Sequence, residues 1–176
     1  TALRFAESGR LEAPFIVDDA KSGMPTVALF HPAVRAAEAA ERDGRPPLEV
    51  AQLYADAARA VPWPATQSRL RFDQARMLAL AGDEPGADAL YVRLAEEAPT
   101  LRDPWGFRIG DLARLARGEL HLESDDTVVK ARARQELRML VDELMATRWV
   151  VGQGGESAIA RQALSVLEPE GYSADW

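Results

Sequence analysis

The sequence predicts an all-α fold, a stack of antiparallel helical hairpins behind an irregular lead-in. Three observations carry that prediction. From His31 onward, segments rich in alanine, leucine and arginine alternate with short turn signals. Within those segments the apolar residues recur at three- and four-residue spacing, the signature of one buried helix face. Two of the hairpins also share a register, since Tyr54 recurs as Tyr91 and Pro62 as Pro99, both 37 residues on.

Residues 1–30 read differently. Gly9, Pro14, Gly23 and Pro25 interrupt two short apolar runs, Phe15-Ile16-Val17 and Val27-Ala28-Leu29-Phe30, so an extended lead-in with one or two short strands is expected. A first helix runs from Pro32, a good first-turn residue, to Asp43, and Gly44 ends it. The second opens at Pro47, sets Ala51, Tyr54, Ala55, Ala58 and Val61 on one face, and stops at Pro62 and Pro64. In the next pair, Leu70, Met77, Leu78 and Ala81 form one stripe, Gly82-Asp83 turns, and Ala87, Leu90, Tyr91, Leu94 and Ala98 form the other before Pro99. A third pair is expected to start near Pro104-Trp105, break at Gly118, and continue as a long helix from about Asp126 to Arg148, with Ser124, Asp125 and Asp126 as cap candidates. After Gly152-Gln153-Gly154-Gly155, a last helix spans roughly Glu156 to Leu167. The organisation is therefore a lead-in at 1–30, hairpins over 31–118, and a long helix with a capping helix over 119–176 of the same domain.

The spacing of Gly82, Ala87, Tyr91 and Pro99 resembles the tetratricopeptide repeat: a turn glycine, a small residue where paired helices touch, an aromatic residue one turn later and a closing proline. Trp63, Pro64 and Ala65 lengthen the period beyond the usual 34 residues. That resemblance covers about residues 31–118 and implies a right-handed stack with a concave binding face. At the scale of the whole chain, Ala87-Asp88-Ala89-Leu90-Tyr91 and Leu94-Ala95, followed by a long helix ending in Leu144-Met145-Ala146-Thr147-Arg148-Trp149, are similar to the extracytoplasmic sensor regions of bacterial two-component histidine kinases. This second resemblance implies a periplasmic signal-input domain without kinase chemistry of its own. A soluble interaction scaffold in the cytoplasm is the alternative, and a hydrolase on a helical frame a distant third.

Composition narrows the chemistry. With 176 residues and 47% apolar content, the chain can bury a continuous core. It has no cysteine, which excludes disulfides, thiolate metal sites and thiol nucleophiles. The net charge of -7 argues against a nucleic-acid partner, although 19 of the 21 basic residues are arginine. No run of about 18 apolar residues is present, so membrane contact is expected only through flanking segments. The start at Thr1, without an initiator methionine or a signal-peptide pattern, reads as a processed or excised chain.

Catalytic patterns are absent from the sequence. His31 before Pro32 reads as a helix-start residue and His121 as a turn residue, and no serine elbow accompanies either. The acidic pairs Asp18-Asp19 and Asp125-Asp126 lack calcium-loop spacing, and the two histidines lack zinc spacing. The glycine-rich stretch from Gly152 to Ser157 lacks the lysine of a phosphate loop and reads as an interhelix turn. No enzyme activity, cofactor or metal is expected. Recognition is left. Placing the repeat's inward positions on this chain gives Arg35, Arg42, Arg69, Phe72, Arg76, Trp105 and Arg108 as a groove, basic with aromatic walls. Arginine forks suit carboxylates, so a peptide, a protein or a small anionic ligand is the expected partner, and pairing with a second copy stays open.

Overall fold

The computed structural model describes residues 4–5, 11–12, 31–103, 106–147 and 154–167. Seven helices appear among them: α1 (Pro32–Arg42), α2 (Pro47–Ala60), α3 (Pro64–Leu80), α4 (Glu84–Glu97), α5 (Ile109–Leu122), α6 (Thr127–Thr147) and α7 (Gly154–Leu167). The class is all-α, as the sequence predicts. In the lead-in, Arg4–Phe5 and Leu11–Glu12 pair as a two-residue antiparallel ladder. The apolar runs at 15–17 and 27–30 lie outside the described residues.

Local chemistry explains the helix limits. His31 caps α1 by accepting the Ala33 amide on Nδ1 at 3.3 Å, and Asp83 caps α4 by accepting the Gly86 amide at 3.1 Å. Asp126 proves to be the cap of α6, its Oδ1 accepting the Val128 amide at 2.7 Å. Gly44 and Gly82 adopt φ of 69° and 81°, the left-handed conformation that turns the chain out of α1 and α3 at no steric cost. Pro47 and Pro64 occupy first turns, where a missing N–H costs nothing. Pro64 thus begins α3, and the residues that lengthen the period form its first turn.

The helices pack consecutively, each against the next, and α3 also touches α5 while α5 touches α7. The core follows as three linked clusters. Val34, Ala37, Val50, Tyr54, Ala57, Leu70 and Met77 join α1, α2 and α3. Ala75, Ala87, Tyr91, Leu94, Ile109 and Ala113 join α3, α4 and α5. Leu115, Leu137, Leu140, Leu144, Ile159 and Ala163 join α5, α6 and α7. So α3 and α5 each bury two faces. One buried frame repeats along the chain at spacings of four, three and four: Val50-Tyr54-Ala57-Val61, Ala87-Tyr91-Leu94-Ala98 and Ala133-Leu137-Leu140-Leu144.

Two expectations need correction. Gly118 does not break the third pair, because α5 runs through it to Leu122 and the turn comes at 123–126. Glycine stands there because α6 crosses at that point: a Cβ on Gly118 would lie 2.5 Å from Leu137 Cδ2. His121 accordingly sits in the last turn of α5, where its Nε2 is 2.8 Å from Asp88 Oδ1. The start of the third pair also moves, from Pro104-Trp105 to Ile109. A closed loop precedes it, in which Asp103 N donates to Phe107 O at 2.9 Å and Ile109 N to Leu101 O at 2.9 Å.

Replacing Gly118 with alanine is expected to destabilise the chain by about 1–3 kcal/mol, despite alanine's better helix propensity, because Leu137 is buried and has nowhere to move. Denaturant unfolding measures this. The double variant Gly118→Ala/Leu137→Ala should cost less than the two single losses added together.

Candidate interaction surface

Three of the groove residues inferred from sequence meet on α3. Arg69, Phe72 and Arg76 fall at spacings of three and four, on one side of the helix. The guanidinium of Arg69 lies over the Phe72 ring, 5.4 Å from its centroid. Phe72 is half-buried and packs in turn on Tyr91, with ring centroids 5.8 Å apart and planes tilted by 54°. It therefore forms the floor beneath the arginines and joins the second core cluster.

The arginines are paired. Arg69 Nε donates to Asp73 Oδ2 at 3.1 Å and its NH1 to Asp103 Oδ2 at 3.3 Å. Asp103 is almost wholly buried, and its other oxygen accepts the Phe107 amide at 2.9 Å. One side chain of α3 thereby holds the loop before α5. Arg76 reaches Glu41 at the end of α1, at 2.7 Å, and Glu41 also accepts the Tyr54 hydroxyl of α2 at 2.5 Å. From the neutral Tyr54 hydroxyl, a continuous line of charges runs Glu41, Arg76, Asp73, Arg69, Asp103.

A second line lies beyond it. Arg102 NH2 donates to Glu156 Oε1 at 2.8 Å, and Arg108 Nε stands 3.3 Å from the same oxygen. Arg108 NH1 is also 3.9 Å from Asp111 Oδ2. Glu156 and Asp111 are each the third residue of their helices, α7 and α5, where the positive end of the helix dipole favours a carboxylate. Both are buried, and each keeps one oxygen without a hydrogen-bond partner.

The electrostatics separate fixed pairs from exchangeable ones. Burial pushes the Asp73 carboxyl up, and the pull of Arg69 and Arg76 does not fully offset it. Burial acts the same way on Asp111, again against Arg108 and Arg114. Burial would also raise Glu41, but the hydrogen bonds from Tyr54 and Arg76 win and hold it below the usual carboxylate range. Glu41 and Arg76 remain about one-third exposed, whereas Asp103 is shut off from water.

The remaining groove residues divide. Arg35 and Arg42 are exposed on α1, on either side of Glu38, whose carboxyl is raised by burial and by Asp73. Arg108 belongs to the second line of charges. Trp105 lies outside the described residues, as do Arg148 and Trp149. What the sequence reading missed are the carboxylates. Asp73 was in reach, lying four residues after Arg69 and three before Arg76, but Asp103 and Glu156 are too far along the chain for spacing to reveal. With those acids in place, the surface is an interleaved set of arginines and carboxylates rather than arginines alone.

On the other side of α5, a half-open cleft of about 240 Å³ is lined by Val92, Ala95, Glu96, Arg114, Arg117, Glu136 and Met139. Its arginines are paired too, Arg114 with Glu143 at 2.5 Å and Arg117 with Asp88 at 2.7 Å and Glu136 at 3.0 Å. Among the described residues, no three histidines, cysteines or acids gather as a metal site, and no helix is long and apolar enough to cross a membrane. Compared with protein-family models, with curated proteins and with solved structures, the chain matches none.

Asp111 gives a pH-dependent test. Its folded-state pKa is raised, so the folded chain binds the extra proton and stability falls as pH rises through that window. Asp111→Asn removes the buried charge. The variant is expected to be more stable than the parent by about 1 kcal/mol at neutral pH, and no more stable near about pH 3, where the parent's Asp111 carboxyl is largely neutral in the folded and unfolded chain alike. Thermal melts across the pH range measure the difference.

Proposed function

We propose that the chain is a tetratricopeptide-like recognition module serving as the extracytoplasmic input domain of a bacterial sensor histidine kinase. It takes a carboxylate-bearing ligand or partner segment on the arginine-rich side of α1, α3 and α5. The repeat reading is supported by the recurring four-three-four buried frame, by the Tyr54/Tyr91 and Pro62/Pro99 register, and by the contacts of α3 with α5 and of α5 with α7.

One observation carries the binding reading. Arg69 is locked by two buried carboxylates, while its neighbour Arg76 hydrogen-bonds the partly exposed Glu41 and meets Asp73 only at 3.6 Å. An incoming carboxylate that replaces Glu41 on Arg76 finds a guanidinium already oriented, with the Phe72 ring and Arg69 beside it. The displaced Glu41 then loosens its hold between α1, α2 and α3. Binding and helix packing are thereby coupled through a single exchangeable ion pair, as an input domain requires.

The same geometry decides which substitutions are informative. Removing Arg69 takes away the guanidinium that the buried Asp73 and Asp103 share, which should cost about 3 kcal/mol and confounds any binding assay. Arg35 and Arg42 are exposed and leave the packing intact. A panel of dicarboxylates and acidic peptides is expected to raise the melting temperature of the parent. Arg35→Glu/Arg42→Glu should melt like the parent and lose most of that response. If the double variant responds undiminished, or no anion shifts the parent, the surface is not the binding site. The sensor assignment has its own test in the flanking gene sequence, where apolar runs of about 20 residues on both sides are expected. Their absence would favour a soluble scaffold.

A further inference from the structure

Among the described residues, the longest helix has one face with no helix packed on it. α6 packs on α5 and α7 through Ala133, Leu137, Leu140, Val141 and Leu144. Directly opposite, Val128, Arg132, Gln135, Met139, Asp142 and Ala146 are all exposed. Their spacing is four, three, four, three and four, which is the seam spacing of paired helices. Val128 and Met139, exposed by 67% and 50%, are two of the four large apolar side chains that stand out in water among the described residues.

We propose that this face pairs α6 with α6 of a second copy of the chain, antiparallel, about a two-fold axis level with residue 137. An isologous contact must complement itself, and this stripe does so. The axis sets Val128 against Ala146, Arg132 against Asp142, and Gln135 against Met139, and symmetry makes each pairing twice. Both charges on the seam are thus matched by their opposites. Sliding the helices by one heptad sets Val128 against Met139, but leaves Arg132 facing Gln135 and Asp142 with no cation opposite. Charge therefore selects the first register over the second. On the flanks, the axis brings Glu136 and Arg138 toward their own counterparts. Glu136 is already neutralised by Arg117 at 3.0 Å, and Arg138 lies four residues before Asp142 on its own helix. A single pair of helices of about 31 Å lies at the small end of protein interfaces, so the dimer is weak and concentration-dependent. The inference is independent of the ligand surface on α1 and α3.

Sedimentation equilibrium of the full chain tests it. The parent is expected to show a monomer–dimer equilibrium, weakening with salt. Arg132→Asp and Asp142→Arg should each reduce association at least tenfold, since each sets like charges together, and neither should change the melting temperature at these exposed positions. Mixing the two variants in equal amounts should restore the dimer, because both cross-pairs are then opposite in sign. The absence of native cysteine permits a second measurement. On oxidation, a mixture of Gln135→Cys and Met139→Cys chains should give a crossed disulfide dimer in preference to either chain alone. A parent that stays monomeric at every concentration, or variants whose mixture fails to associate, would overturn the proposal. So would preferential crosslinking of Val128→Cys to Met139→Cys, which belongs to the slid register.

Discussion

Arg69 is the tie on which the arrangement of α3, its neighbours and the following loop depends. Its guanidinium spans from Asp73, one turn along the same helix, to Asp103, a loop residue with almost no access to water. Burying a carboxylate is strongly unfavourable unless it is paired and hydrogen-bonded, and Arg69 and the Phe107 amide both meet Asp103 there. That loop sets where α5 begins. The residues flanking that loop, Arg102 and Arg108, reach Glu156 of α7, which also packs on α5 and α6. Apolar burial drives the helices together, and these pairs select one arrangement among the many that burial alone would accept.

The two kinds of ion pair differ in what they permit. A pair shut away from solvent cannot be exchanged without unfolding its surroundings, while a pair at the rim can trade one carboxylate for another at little cost. Arg69 with Asp103 belongs to the first kind and Arg76 with Glu41 to the second. Since both arginines stand on α3, a rigid support lies beside an adaptable contact, and the adaptable contact is the one that links three helices. The balance of charge along this side also bears on selectivity. A ligand offering only negative charge meets as many carboxylates as arginines, and must match positions to gain anything.

Much of the helix plan was legible in the sequence because it rests on local chemistry. Pro32 and Pro47 as first-turn residues, Gly44 and Gly82 as terminators, Asp126 as a cap and the stripes of α2 and α4 all act over a few residues, and each appears in the structure where spacing places it. Gly118 misled for a physical reason. A glycine within a helical pattern reads as a break, yet here it marks the crossing of two helices, and only the partner Leu137 gives it that meaning. The loop before α5 was missed because its organiser, Asp103, works through Arg69 at a separation of 34 residues. The same limit applies to the surface: the arginines of α3 stand at helical spacing, whereas two of the acids that fix them, Glu41 and Asp103, come from α1 and the loop.

The three core clusters share helices rather than merging, and that shapes how the chain comes apart. The first cluster is lost if α1 and α2 detach, and the last if α6 and α7 detach, yet α3 and α5 retain a buried face in either case. Opening from the two ends is therefore graded, with amides of α3, α4 and α5 exchanging with solvent most slowly and those of α1 and α7 soonest. Interactions between neighbouring units set the cooperativity, as in a one-dimensional chain of coupled elements. The parts of the charged surface on α3 and α5 are thus the last to melt, and the parts on α1 and α7 open with the two ends.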